Sequence, residues 1–185
     1  MVDADQLAHE LIETRAGIRR ALQRVFGSEV FDARGRLKRR TLGRRVFPDP
    51  EKRRVLNAIV WPPLLEAIRK RLRILRREQP DRMVVLDMAV LFESGADALA
   101  DCVVFVHASR NRRLAWLAGS RGWSRAESIG RMAAQDDART QRRRADVVVQ
   151  NRGTREELRR KAAAFMDSGG KGSPSKTLAF RQILS

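Results

Sequence analysis

Three short, unbroken apolar runs constrain this chain more than any other feature. They are Met83-Val84-Val85-Leu86, Cys102-Val103-Val104-Phe105-Val106, and Val147-Val148-Val149 behind Asp146. A strand with one wet face alternates apolar and polar residues. One that is apolar at every position must be covered on both faces, as in a parallel sheet. Helical patterns lie between and after the runs: around Leu99, from Arg110 to Leu117, from Arg125 to Arg143 and from Thr154 to Phe165. Strands alternating with helices define an α/β fold built on a parallel sheet.

The first half reads differently. Leu7, Leu11 and Ile12, then Ile18, Leu22, Val25 and Phe26, recur at helical spacing over residues 3–26, as one helix or two. Gly27 ends that stretch and Asp32 to Gly35 is a turn. Arg40 to Val46 predicts a short helix that stops before Pro48 and Pro50. Glu51 to Val60 predicts another, interrupted by Pro62-Pro63, and Leu64 to Arg77 a long basic one with Leu65, Ile68, Leu72 and Leu75 on one face. Ser168 to Ser175 is a Gly/Ser/Lys/Pro linker. Residues 167–185 are expected to be a disordered tail.

Composition narrows the function. The 185 residues carry 39 Lys+Arg against 22 Asp+Glu, a net charge of +17. That balance suits a polyanion or a phosphate-rich small molecule. Only six of the basic residues are lysine, and such a skew can arise from coding bias alone. There is no tyrosine, and the three Trp and seven Phe are not interleaved with the basic runs, so a base-stacking platform is missing. Nucleic acid is therefore not the expected partner. No apolar run is long enough to span a membrane, and acids follow Met1 where a signal peptide carries bases. Cys102 is the single cysteine, so no internal disulfide forms and a reducing cytoplasm is the natural setting.

Four segments could carry chemistry. Asp3-Ala4-Asp5 would stand at a strand's carboxyl end if a strand enters at Val2, and open α/β sheets bind ligands there. A carboxylate in that place accepts a hydroxyl proton or holds a metal ion, although both acids serve equally well as helix caps. Asp87 ends an apolar strand, as the Mg²⁺-holding acid of phosphate-binding sheets does, yet many strands end in Asp for turn reasons. Leu91-Phe92-Glu93-Ser94-Gly95 follows directly and is placed for ligand contact, with Phe92 equally suited to a core. The stretch containing Arg110, Arg112, Arg113, Arg121, Arg125, Arg131 and Gln135 has the makings of a lid over a phosphate donor, or of a solvated charged helix. No G-x-x-x-x-G-K-[ST] and no G-x-G-x-x-G occurs in the 185 residues. His9, His107 and Cys102 do not make a zinc site.

Taken together, the segments resemble dephospho-coenzyme A kinase. The resemblance rests on Val2-Asp3-Ala4-Asp5 with Ala8-His9, Val46-Phe47, Leu56-Asn57-Ala58-Ile59, Pro62, Val84 to Asp87, Leu91-Phe92-Glu93, Ser120-Arg121 with Trp123-Ser124, Arg131-x-x-x-Gln135, and Ala145 to Val148 with Asn151. It covers about residues 2–166 in order and spacing. It implies a three-layer P-loop kinase fold of the nucleoside-monophosphate-kinase type. The core would comprise residues 1–10, 82–107 and 145–166, a helical coenzyme A-binding domain 11–81, and a lid 108–144. It implies transfer of the ATP γ-phosphoryl to the 3′-hydroxyl of dephospho-coenzyme A with Mg²⁺, the last step of coenzyme A synthesis, by a cytoplasmic monomer. By position, Asp5 would be the base and Arg131 a lid arginine acting in catalysis. Asp3, Leu91, Phe92 and Glu93 would lie at the acceptor; Arg121, Gln135 and Asn151 at the nucleotide; Asp87 at the metal.

Two departures stand beside the likeness. Trp61-Pro62 replaces the family's His-Pro, and Ala89 replaces a proline before Leu91. The family also opens with a strand, a Gly-rich Lys-Ser/Thr loop and a helix, and the chain begins at what would be the second strand. That first strand is central in the family's sheet. Without it, two neighbours would carry unpaired backbone groups in the core, at about 1–3 kcal/mol each. The expectation is therefore a wrongly assigned start, or a fragment that folds poorly and does not phosphorylate. The alternatives are a catalytically dead relative that binds coenzyme A or nucleotide, and a basic nucleic-acid-binding protein on the same scaffold.

Overall fold

The computed structural model describes residues 1–121, 124–133, 137–167 and 177–182. Its backbone divides into two compact units, residues 4–70 and residues 1–3 with 71–185. The first of these holds the early helices, and residues 108–144 fall in the unit that holds the sheet.

The apolar spacing of the first half becomes helix. Residues Ala4–Thr14 form α1 and Ala16–Phe26 form α2, two helices rather than one. Their buried faces are Leu11 and Ile12, then Ile18, Leu22 and Phe26. The turn at 32–35 is held by Asp32, whose Oδ1 accepts the N–H groups of Arg34 and Arg36, each at 2.9 Å. Gly35 supplies the positive φ of 74° that closes it. Residues Arg39–Val46 form α3, with Leu42 and Val46 buried.

Pro50–Glu78 is one helix, α4, and it runs through Pro62 and Pro63. The expected interruption does not occur. Asp49 caps the start by accepting from the N–H groups of Glu51 and Lys52 at 3.0 and 3.1 Å. Pro50 sits in the first turn, where its missing donor costs nothing. The two internal prolines forgo donors to the carbonyls one turn back, but Leu64, Ile68 and Leu72 bury one continuous stripe beyond them. Packing of that stripe outweighs the missing bonds.

The three apolar runs become parallel strands, joined by two more. The strands are β1 (Val2–Asp3), β2 (Val84–Asp87), β3 (Cys102–His107), β4 (Val147–Gln150) and β5 (Thr177–Gln182). Their order is β1-β2-β5-β3-β4, and every pairing is parallel. Neighbouring Val104 and Phe105 are both fully buried, so β3 is covered on both faces, whereas β2 buries alternate residues, Val84 and Leu86, and the residues of β4 are all half-buried. The remaining helices are α5 (Arg110–Arg121), α6 (Arg125–Ala133), α7 (Ala138–Arg144) and α8 (Arg155–Asp167).

The tail expectation is corrected here. Residues 177–182 are not disordered but form β5, paired with β2 on one side and β3 on the other. The gap expected in the sheet is therefore filled, and the inner edges of β2 and β3 find partners. Composition hid this strand because the Gly/Ser/Lys/Pro stretch drew the boundary, while the segment after it, Thr177-Leu178-Ala179-Phe180, is short, β-compatible and apolar. Leu22 is fully buried in the helical unit. Leu22→Ala should lower unfolding free energy by about 2–5 kcal/mol, read by urea denaturation of the chain.

Candidate active site

Parallel strands bring all their carboxyl ends to one edge. Asp3 closes β1 and Asp87 closes β2, and the two residues are direct register partners. Directly paired residues of neighbouring strands share a face of the sheet, and the two strand backbones lie about 5 Å apart. Asp5 lies two residues further on, in the first turn of α1. The helix-cap and strand-end readings are thus divided between the two acids: Asp3 ends a strand, whereas Asp5 opens a helix.

The segment after β2 folds into a tight turn. The N–H of Ala96 bonds the carbonyl of Leu91 at 3.0 Å, and Gly95 takes a left-handed φ of 74°. Leu91 is fully buried and Phe92 is 4% exposed, so both are core residues. Glu93 is half-buried. The guanidinium of Arg144 lies 4.3 Å from the Phe92 ring centroid and 2.9 Å from Asp97 Oδ2. This pairing of α7 with the turn after β2 was not foreseen, and no local sequence pattern signals it.

The opposite side of the edge is built from β3 and β4. His107 Nδ1 lies 3.0 Å from Gln150 Oε1, joining the last residues of the two strands. The N–H of Asn151 donates to the His107 carbonyl at 2.8 Å, and Lys161 Nζ to the Gln150 carbonyl at 2.9 Å. Arg112 of α5 donates to the carbonyls of both Arg152 and Gly153. The loop carrying Asn151 is thus fixed on three sides. Arg112 also lies 5.2 Å over the Trp116 ring, a cation–π contact. Beside it, burial holds the Arg113 guanidinium below its ordinary value, and Arg110 adds like-charge repulsion. Its Nε has no hydrogen-bond partner among the described residues.

Side-chain caps open α6 and α7. Ser124 and Glu127 form a reciprocal box at the start of α6, with N–H to side-chain bonds of 2.9 and 3.1 Å. Asp137 caps α7 through the N–H groups of Arg139 and Thr140. Arg121 is the last residue of α5 and Arg131 lies within α6. Gln135 lies outside the described residues. Among the described residues no helix is long and apolar enough to cross a membrane, and no cluster of three or more His, Cys, Asp or Glu forms a metal cage.

A parallel sheet with Asp3 and Asp87 in register at its carboxyl edge, and with α5, α6 and α7 between β3 and β4, is an open α/β architecture of the kind that binds ligands at that edge. The family model described as dephospho-CoA kinase matches residues 1–157. A dephospho-CoA kinase of Corynebacterium diphtheriae is 35% identical over 162 residues, covering 88% of this chain and 80% of that protein. One from Anaeromyxobacter dehalogenans is 38% identical over 175 residues, covering 93% and 82%. The solved structure of TT1252 from Thermus thermophilus superposes with a TM-score of 0.69 at 33% identity, over 90% of this chain and 83% of that one. A dephospho-CoA kinase from Campylobacter jejuni, 20% identical, shares the fold at a TM-score of 0.61, over 91% and 85%. The chain belongs to the dephospho-CoA kinase family, whose members are ATP-dependent kinases.

One titration tests the local geometry. Hydrogen bonds from the Arg139 N–H, then from the Thr140 side chain, hold the Asp137 carboxyl below the ordinary aspartate value of 3.8. A depressed folded pKa contributes stability that is full above the unfolded value and drains away as pH falls through the folded one. The amides of Arg139 and Thr140 should therefore lose hydrogen-exchange protection below about pH 4, and keep it over the same range in Asp137→Asn, which retains an acceptor but no charge.

Proposed function

We propose that the carboxyl edge of the sheet transfers the γ-phosphoryl of ATP to the 3′-hydroxyl of dephospho-coenzyme A. The observation that carries this reading is the in-register pair Asp3 and Asp87, with Asp5 two residues beyond it. Asp5 takes the proton of the attacking hydroxyl as general base, and Asp3 orients the acceptor beside it. Glu93 contacts the acceptor, while Leu91 and Phe92 form the apolar floor that holds its turn in place. Arg131 neutralises charge building on the transferring group. Arg121, Gln135 and Asn151 bind the nucleotide, and the fixing of the loop after β4 by Arg112 and His107 supports the part given to Asn151.

Mg²⁺ suits the donor set. It takes one or two carboxylates and completes its shell with phosphate oxygens and water, so it needs no dedicated cage. Asp87 would hold it, with Asp3 in register beside it. When bound, the ion would neutralise phosphate charge. The cytoplasm is the compartment where ATP and this acceptor meet, and the chain is read as a monomer.

The donor phosphates need more than these residues. The 185 residues contain no G-x-x-x-x-G-K-[ST], so backbone amides and a lysine to cradle the β- and γ-phosphates are not among them. Loss of a single catalytic electrostatic donor costs about 3–4 kcal/mol. Fusing a strand and loop bearing that motif ahead of Val2 should raise phosphoryl transfer at least roughly a hundredfold over residues 1–185 alone, measured as conversion of dephospho-coenzyme A to coenzyme A. In the faster of the two chains, Asp5→Asn should lower kcat about 10²–10⁴-fold with acceptor affinity little changed. An unaltered kcat would remove Asp5 from the mechanism.

A further inference from the structure

Between Glu66 and Glu78, α4 carries no acid. Residues 67–77 hold six basic residues, Arg69, Lys70, Arg71, Arg73, Arg76 and Arg77, and all six are exposed. At 3.6 residues per turn, Arg69, Lys70, Arg73 and Arg77 share one face of the helix, opposite the buried stripe of Leu64, Ile68 and Leu72. The four span about 12 Å of one continuous helix.

Acids do not neutralise this face. Glu66 pairs with Arg15 at 3.6 Å and Asp101 with Arg76 at 3.2 Å. Among the described residues no ion pair joins Arg69, Lys70, Arg73 or Arg77 to an acid. Like charges four residues apart repel and destabilise a helix, so the arrangement works against α4 itself. The helix dipole favours cations within the last turn, which accounts for Arg76 and Arg77 but not for Arg69, Lys70 and Arg73. Coding bias can raise the number of arginines, but it does not gather them on one face and keep acids away from it.

We propose that this face of α4 is a docking surface for the phosphate backbone of duplex nucleic acid, held by charge without reading of bases. Four-residue steps along a helix are about 6 Å, and each strand of a duplex offers a phosphate about every 3.4 Å of axis. Arg69, Arg73 and Arg77 therefore meet roughly every second phosphate. A single strand is held by stacking its bases on aromatic rings, and residues 67–77 contain none. A duplex hides its bases and presents its phosphates, which position a protein without specifying sequence. A helix that lies on a membrane sinks its apolar face into the lipid, whereas Leu64, Ile68 and Leu72 are buried within the protein. None of the four cations is assigned to phosphoryl transfer, so the surface stands whether or not that assignment does.

Salt dependence reads the contact directly. A short labelled DNA duplex of mixed sequence, titrated with the full chain and followed by fluorescence anisotropy, should show log Kd rising linearly with log salt. Replacing Arg69, Lys70, Arg73 and Arg77 together by Gln removes four cations. The slope should then fall by about 3.6, and affinity at low salt by at least about tenfold. Arg20, Arg24, Arg142 and Arg160 are exposed on other helices, and the same change there lowers net charge equally. That control should alter the slope by less than about one unit. Equal effects of the two sets, or no binding by the unmodified chain, overturn the proposal.

A second variant separates lost charge from lost fold. Arg69→Lys, Arg73→Lys and Arg77→Lys together keep every charge and should keep the slope, and a slope lost with the charge retained overturns the electrostatic reading. One strand of the same duplex should bind more weakly than the duplex, and tighter binding of it overturns the duplex assignment. Vesicles containing anionic lipid are the last probe. Capture by vesicles that exceeds duplex binding and fails in the Gln variant assigns the face to a membrane and overturns the proposal.

Discussion

Backbone hydrogen bonding along β5 is the interaction on which the rest of the sheet depends. Four residues of β2 and five of β3 have register partners in this one strand. Backbone donors and acceptors withdrawn from water must be paired, so a sheet with covered faces cannot keep a strand-wide gap at its centre. The chain satisfies that requirement with its last described segment. Arg76, Asp101 and Thr177 then settle which residue comes first.

Everything at the carboxyl edge follows from that alignment. Parallel order carries Asp3, Asp87, His107 and Gln150 to the same end of their strands. Asp3 and Asp87 end the β1–β2 ladder, His107 and Gln150 end the β3–β4 ladder, and arginines stand by both, Arg144 at the turn after β2 and Arg112 at the loop after β4. The strongly basic composition acquires a local meaning here. Arg112 and Arg144 serve as structural ties to a loop and to an aromatic ring, and Arg113 is a half-buried cation beside another cation.

The three apolar runs were legible as strands because a parallel strand covered on both faces has no polar position to disguise it. The turn at Asp32 was legible too, since its chemistry lies between residues two to four apart. Asp3 and Asp87 could be suspected singly but not paired, because their register spans 84 residues of chain. Leu91 and Phe92 read as ligand contacts by resemblance and proved to be buried. Distinguishing floor from contact requires knowing what lies above the turn, and here Arg144 comes from a helix more than fifty residues away.

The amino-acid sequence by itself determined the three apolar strands, their alternation with helices and the family, since all three are written in local periodicity and in motif residues at fixed spacing. It also determined that the 185 residues hold no glycine-rich Lys-Ser/Thr loop. Only the tertiary structure decided that Pro62 and Pro63 lie within one helix, and that residues 177–182 enter the middle of the sheet. Both outcomes turn on interactions beyond the local window. A buried stripe compensates bonds the prolines cannot make, and a strand's worth is set by unpaired neighbours on each side rather than by its own six residues.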